Sequence, residues 1–261
     1  MKIQHQLALL RELMQLRKNF RKYFRVVPAT TPELVTEAFR VRHSVYCEDL
    51  GWEEVNEEGI ERDEYDDHAM HCLLQSTDYG DYVGCARIVV PDFSKKDAPL
   101  PFQQSCLGTL YPDQPDLQSM KNGSAAEISR LAVIKRYRRR HGEENKAVAL
   151  SEDDLGSFKR PRFPYIPVGL YMGILDIASR NGLETLYFMT EPKLATHFAK
   201  LGVELTQIGE PVEHRGTRVP YVMGLQRQLD NMAFVVRPLF SEIREEIEQV
   251  YRSGESVKLN R

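Results

Sequence analysis

The sequence predicts an α+β protein with a mixed, mostly antiparallel central sheet and helices on both faces. Two observations carry this reading. The first is an early hairpin. HAMHCLLQ and YVGCARIVVP are apolar and β-branched, and Asp78-Tyr79-Gly80-Asp81 between them supplies a turn. The second is a later alternation. VGLYMGILDIASRNG reads as a helix, LETLYFMT as a strand and PKLATHFAKLG as a short helix, which are the parts of β-α-β units. The 261 residues are 42% hydrophobic and 28% charged, a balance that suits a soluble chain able to bury a core.

The elements follow in order. Residues 1–25 are predicted to form a basic amphipathic helix, with Leu9, Leu13, Leu16, Phe20 and Phe24 on one stripe. Two uses are open for it: packing on the body, or docking on an anionic membrane surface or an acidic protein. The main domain spans 26–236. It opens with a helix capped by Thr31, with Pro32 in its first turn, running to about Leu50 and stopped by Gly51. The acidic segment 47–68 is a loop. The hairpin strands come next, and then an irregular proline-rich stretch, 91–125. AEISRLAVI is a third strand, ended by KRYRRR, and 142–167 is a polar insertion. Gly182 and Gly202 stop the two later helices. Residues 203–226 read as two closing strands, and 237–261 as a C-terminal amphipathic helix and tail.

Net charge is −3, which gives no overall case for nucleic acid binding. Its distribution is uneven: residues 1–25 carry seven Lys/Arg and one acid, leaving −9 on the rest. No apolar run is long enough to span a membrane, and no signal peptide is expected. Cys47, Cys72, Cys85 and Cys106 have no C-x-x-C pairing, so they read as reduced core thiols in a cytoplasmic protein.

Two features suggest chemistry. Eleven of the twenty-two residues of CEDLGWEEVNEEGIERDEYDDH are acidic, yet it holds the only tryptophan, Trp52. A calcium loop needs a glycine after the acids, which is lacking here. His68 and His71 with Asp66 or Asp67 match no firm metal motif, so no metal is expected. Trp52, Ile60 and Tyr65 argue for anchorage to the body. In AEISRLAVI, alternation puts Glu127 and Ser129 on one face, with Ile128 and Arg130 on the other unless a bulge intervenes. Charges inside apolar strands, Arg87 among them, must be paired or used. An internal salt-bridge network is the structural reading, with Glu61, Asp63 or Asp66 as partners for Arg42, Arg87 or Arg130.

Arg42-x-x-Val45-Tyr46, Leu50-Gly51-Trp52, Glu61-x-Asp63-x-Tyr65-Asp66, Arg87 and Glu127-x-Ser129-Arg130 resemble the signature of acyl-homoserine-lactone synthases. YDDHAMH, AEISRLAV with its basic run, and EPKLATHFAKLGVELTQIGEPVEHRGTRVP are similar to acyltransferases associated with PEP-CTERM/exosortase systems. The resemblance covers about residues 30–225. It implies a GNAT-like fold, akin also to N-acyl amino acid synthases, and transfer of a fatty acyl group from a thioester to a small amine. By this resemblance Glu127, Asp63 and Glu61 are catalytic, and Arg42, Trp52, Asp66, Arg87, Ser129 and Arg130 bind substrate. The arginines would hold the carboxylates ionised. A backbone N–H beside a strand bulge would receive the thioester oxygen.

RRRHGEENKAV has one glycine where coenzyme A-dependent relatives show a glycine-rich phosphate cradle. Lys135, Arg136, Arg138, Arg139 and Arg140 would instead dock an acidic acyl carrier protein. The donor is thus acyl carrier protein or acyl-CoA, with no bound cofactor expected. Ile128, Leu131, Val133, Leu170, Ile174, Phe188 and Phe198 are candidates for an acyl tunnel. An amino acid is the favoured amine. Two alternatives stand: an acyl-homoserine-lactone synthase using S-adenosylmethionine, and a non-catalytic GNAT-like module for a lipid or partner.

Overall fold

The computed structural model describes residues 16–92, 94–95, 98–112, 123–138, 165–200, 202–234 and 236–253. Residues 16–23 are helical (α1). β1 (Phe24–Pro28) and α2 (Pro32–Arg42) follow, and α2 continues into a π-helical turn, His43–Asp49. The Thr31 hydroxyl accepts from the Leu34 amide, the expected cap, and Gly51 turns the chain with φ +61°. A short 3-10 turn, Glu64–His68, leads into the hairpin β2 (Ala69–Ser76) and β3 (Tyr82–Val89). Next come α3 (Pro101–Ser105), β4 (Ala125–Val133), α4 (Tyr165–Arg180), β5 (Thr185–Thr190) and α5 (Pro192–Lys200). β6 (Thr206–Gln207), β7 (Val212–Glu213), β8 (Thr217–Gly224), α6 (Leu225–Asp230) and α7 (Arg237–Arg252) complete the order.

The strand order is β1-β2-β3-β4-β5-β8-β6, with β7 also paired to β8. Among the described residues every pairing is antiparallel except β4 with β5. That parallel pair is short. It joins Ala125–Ile128 to Thr185–Phe188, and beyond it the two strands run unpaired to each other. α4 and α7 cover one face, where Val26, Cys72, Leu74, Ala86 and Ile88 point. α2 covers the other, over Leu73, Cys85 and Ala132. α4 packs closely on its neighbours because two glycines, one turn apart, face them: Gly173 the sheet and Gly169 mainly α1. A Cβ at Gly173 would stand 2.6 Å from Cys72 Sγ, and one at Gly169 would stand 2.7 Å from Phe20 Cε2.

The structure corrects several expectations. Phe24 leaves the helical stripe and begins β1, whose edge pairing with β2 uses FRVVP as a strand. The stretch 91–125 contains α3, and the closing pair of strands is three strands followed by α6. Leu16 and Phe20 of α1 are buried in the same core as Leu239, Ile243 and Ile247 of α7. The divisions at 25/26 and 236/237 therefore cut through one core. Buried in this way, Leu16 and Phe20 have no face left for a membrane or partner, while Leu9 and Leu13 lie outside the described residues. No helix among the described residues is long and apolar enough to cross a membrane.

Candidate active site

A bulge in β4 organises the site. Cys85 of β3 faces Ala132 and Arg87 faces Ser129, so two residues of β4, Arg130 and Leu131, stand against one, Ala86. Arg130 takes up the extra residue with φ +51°, a conformation costing roughly 1 kcal/mol or more for a non-glycine. The bulge resets the alternation. Arg130 now points to the same side as Glu127 and Ser129, toward the acidic segment. The bulge carbonyls find side-chain donors: Tyr46 Oη donates to Leu131 O (3.2 Å) and Cys85 Sγ to Arg130 O (3.7 Å).

Three arginines meet three carboxylates there. Arg42 is fully buried. Its Nε donates to Glu61, while Nη1 and Nη2 grip Asp66 at 2.6 and 3.0 Å. Arg87 Nη1 donates to Asp63 (2.5 Å) and Asp66 (2.8 Å), and its Nε to Ser129 Oγ (3.0 Å). Arg130 donates to Asp63 (2.8 Å) and Glu61 (3.2 Å). Asp63 and Asp66 also form a capping box on the 3-10 turn, with Asp63 N donating to Asp66 at 2.8 Å. This is the internal network that the sequence suggested, with Glu61, Asp63 and Asp66 as the inward acids. Burial opposes ionisation of Glu61 and Asp66. The Arg42 hydrogen bonds and the neighbouring guanidinium charges outweigh it and hold both below the usual carboxylate range.

Glu127 differs, and here the expectation that arginines keep the site carboxylates ionised fails. The Phe102 amide donates to its Oε2 at 2.7 Å. Burial dominates, and the amide and the more distant Arg87 and Arg130 only partly offset it. The carboxyl is pushed up to about 8. Glu127 is therefore largely protonated at neutral pH.

A cavity of ≈ 340 Å³ opens at this point. Asp63, Arg87, Glu127, Ser129 and Arg130 line its polar end, and Trp52 forms a wall. Trp52 stacks on Tyr46 at 5.7 Å, and Arg215 and Arg218 approach its ring at 5.8 and 5.9 Å. The cavity then passes between β4 and β5, where their pairing has ended, to an apolar arm beneath α4 and α5. Ile128, Leu131, Ile174, Phe188 and Phe198 line it, as expected; Val133 and Leu170 instead lie in the core and do not. Glu61, Arg42 and Asp66 do not line it either. They stand behind Asp63, Arg87 and Arg130 and hold them in position.

The basic run after β4 is divided. Lys135 is exposed and lies 2.9 Å from Asp49, and half-exposed Arg136 pairs with Asp81. Arg138 is buried against Asp49, so it presents no surface to a carrier protein. Arg139 and Arg140 lie outside the described residues. The β7–β8 turn supplies cavity residues that the sequence reading missed: His214, Arg215 and Arg218, with Arg218 bound to Glu191 at 3.0 Å. Arg215 pairs with Glu53 of the acidic segment. The available signal was the cluster EHRGTR in a turn. α3 adds Gln104 and Ser105, from a stretch with no readable period.

A family model described as "Acetyltransferase (GNAT) domain" matches residues 41–145, which include the arginine–carboxylate cluster and β4. Among solved structures the chain is similar to TofI, in a ternary complex with an inhibitor and MTA (TM-score 0.52, 22% identity, covering 78% of this chain and 91% of that one). It is similar to the AHL synthase LasI (TM-score 0.53, 19% identity, 80% and 95% covered). It also resembles BjaI, a CoA-dependent acyl-homoserine lactone synthase with SAM and isopentyl-CoA (TM-score 0.53, 18% identity, 85% and 89% covered). Curated proteins give no match. The fold is GNAT-like. The domain match over residues 41–145 supports an acyltransferase of GNAT type.

Proposed function

We propose that the chain moves a fatty acyl group from a thioester donor to the amine of a small substrate, with an amino acid as the acceptor. One observation carries this reading: a single cavity joins a charged end, containing a buried carboxyl, to an apolar arm through the gap between β4 and β5. The arm suits an acyl chain, and the gap suits the thioester. The charged end suits an amine. Asp63, partly exposed, attracts the ammonium form.

Glu127 is the general base in this scheme. A carboxyl near 8 is a far better proton acceptor than an ordinary glutamate and is still partly ionised at neutral pH. The amine loses its proton to Glu127 and its nitrogen attacks the thioester carbon. The C–S bond then breaks, and the thiol leaves with a proton as the amide forms. Backbone N–H groups beside the Arg130 bulge are the candidates to receive the developing oxyanion. Asp63, Ser129, Arg87 and Arg130 line the acceptor end, and Trp52 walls it. Arg42, Glu61 and Asp66 are positioning residues. Lys135 and Arg136 are left as the described part of a carrier-protein docking patch. The donor is acyl carrier protein, with acyl-CoA as the other source, and the chain acts in the cytoplasm. The likeness to PEP-CTERM/exosortase-associated acyltransferases supports the amino acid acceptor.

A second reading, an acyl-homoserine-lactone synthase, is favoured by the shared fold with LasI and BjaI. Mass spectrometry of lipid extracts from cells expressing the chain tests both. An N-acyl amino acid is the expected product. An acyl lactone would replace the first reading with the second, and neither product would refute both.

A further inference from the structure

Behind the apolar arm lies a second, smaller apolar pocket of ≈ 30 Å³. The two are separated by a thin partition. Tyr171, Phe198 and Val203 line both, whereas Ile174 faces only the first, and Val168 and Met172 only the second. Along α4, then, the positions 174, 171 and 168 mark the arm, the partition and the space beyond. Each step of three residues advances ~4.5 Å along the helix axis.

The partition is fixed in place. The Tyr171 and Phe198 rings meet at 5.5 Å, tilted by 44°. The Tyr171 hydroxyl lies 3.3 Å from Gln228 Oε1. Gln228 is itself buried and locked to the chain: its Oε1 accepts from the Glu204 amide (3.2 Å) and its Nε2 donates to the Glu204 carbonyl (2.7 Å). A phenol held at both its ring and its hydroxyl does not swing aside for a longer ligand without losing these contacts.

The geometry points to Tyr171, backed by Phe198 and tied to Gln228, as the floor of the acyl arm and the residue that sets the longest chain accepted. This rests on the acyl-donor reading above. An extended chain advances ~3.5 Å per three bonds, so ~4.5 Å corresponds to about four carbons. Opening the partition joins the two pockets and should lengthen the preferred chain by about two to four carbons. A methylene that cannot be accommodated should cost ~10-fold or more in discrimination.

The test uses a homologous series of saturated acyl-pantetheine thioesters and the full chain. Calorimetry should show affinity rising with length and then falling ~10-fold or more at a break. Tyr171→Leu should move the break to longer chains. Tyr171→Phe, which keeps the ring but loses the tie to Gln228, should move it less than Tyr171→Leu does. Should Tyr171→Leu fail to fold, judged by circular dichroism, Phe198→Leu opens the same partition and must give the same shift. An unmoved break in folded Tyr171→Leu or Phe198→Leu, or no break in the wild type, overturns the assignment. Mass spectrometry of wild-type products separates this failure from that of the parent reading: acyl transfer with no shift sinks the floor alone, and no acyl binding or transfer sinks both.

Discussion

The acidic segment and β4 each bring a buried carboxyl to the site, and the two titrate in opposite directions. Asp66 accepts from two guanidiniums and a backbone amide and stays ionised despite its burial. Glu127 has one backbone amide and is largely neutral. Burial is common to both, so the partners decide the outcome. The first carboxyl belongs to a closed network that positions the wall, and the second is left with a proton to exchange. Catalysis by a carboxyl needs the second kind of environment, and the first gives it a rigid frame.

Removing the centre of the frame should have the largest effect. Arg42→Met would leave Glu61 and Asp66 buried with fewer partners and should cost about 3–5 kcal/mol, read as a lower midpoint in denaturant unfolding. A cost below ~1 kcal/mol would mean that the network does not hold the wall. Glu127→Gln should lower acyl transfer by ~100-fold or more while the fold survives. Its stability effect has the opposite sign. Glu127 has a folded value above its unfolded one, so its contribution is full below the ordinary carboxylate range and is lost as pH rises through about 8. Glu127→Gln should therefore melt higher than the wild type at pH ~9 and show no such gain at pH ~4. Asp66 and Glu61 behave conversely: their stabilisation is present above the ordinary range and is lost as pH falls through their depressed values.

Asp63→Asn sharpens the comparison from the cavity side. Asp63 accepts from Arg87 and Arg130, which also bind Asp66 and Glu61, yet it lines the cavity, so acyl transfer should be abolished with only a modest drop in melting temperature. Loss of folding instead would put Asp63 with the frame. The smallest effect on the fold is expected outside the site. Replacing Lys135 and Arg136 by Gln removes two exposed cations whose pairs are worth roughly 0–1 kcal/mol each, and Asp49 keeps Arg138, so the melting temperature should hold while carrier-protein affinity falls in a titration. Unaltered affinity would remove the docking patch.

Much of this was legible in the sequence. The hairpin, β4, α4, α5 and the Thr31 cap follow from local pattern; apolar anchors mark the acidic segment as held to the body, and the family resemblance picks out Glu61, Asp63 and Asp66 within it. Other features depend on distant neighbours. β1 is short and runs on from an amphipathic stripe, so FRVVP could not be told from the end of a helix until it paired with β2. KRYRRR reads as one patch, although the turn after β4 folds Arg138 inward onto Asp49. Glu127 reads in the sequence as a charge in an apolar strand that must be paired or used, held ionised by arginines. Only the packing of Phe102 and the placement of the arginines around other carboxylates leave it apart. The β7–β8 arginines reach the site through a long-range turn with no periodic signal.

The pH dependence of kcat/KM for acyl transfer, measured for the wild type and for Glu127→Gln, tests the central claim most directly. The wild-type rate should climb through a limb near pH 8, and the variant should lose both the limb and most of the rate. A variant that keeps the same limb and full activity would contradict the assignment of Glu127 as the base.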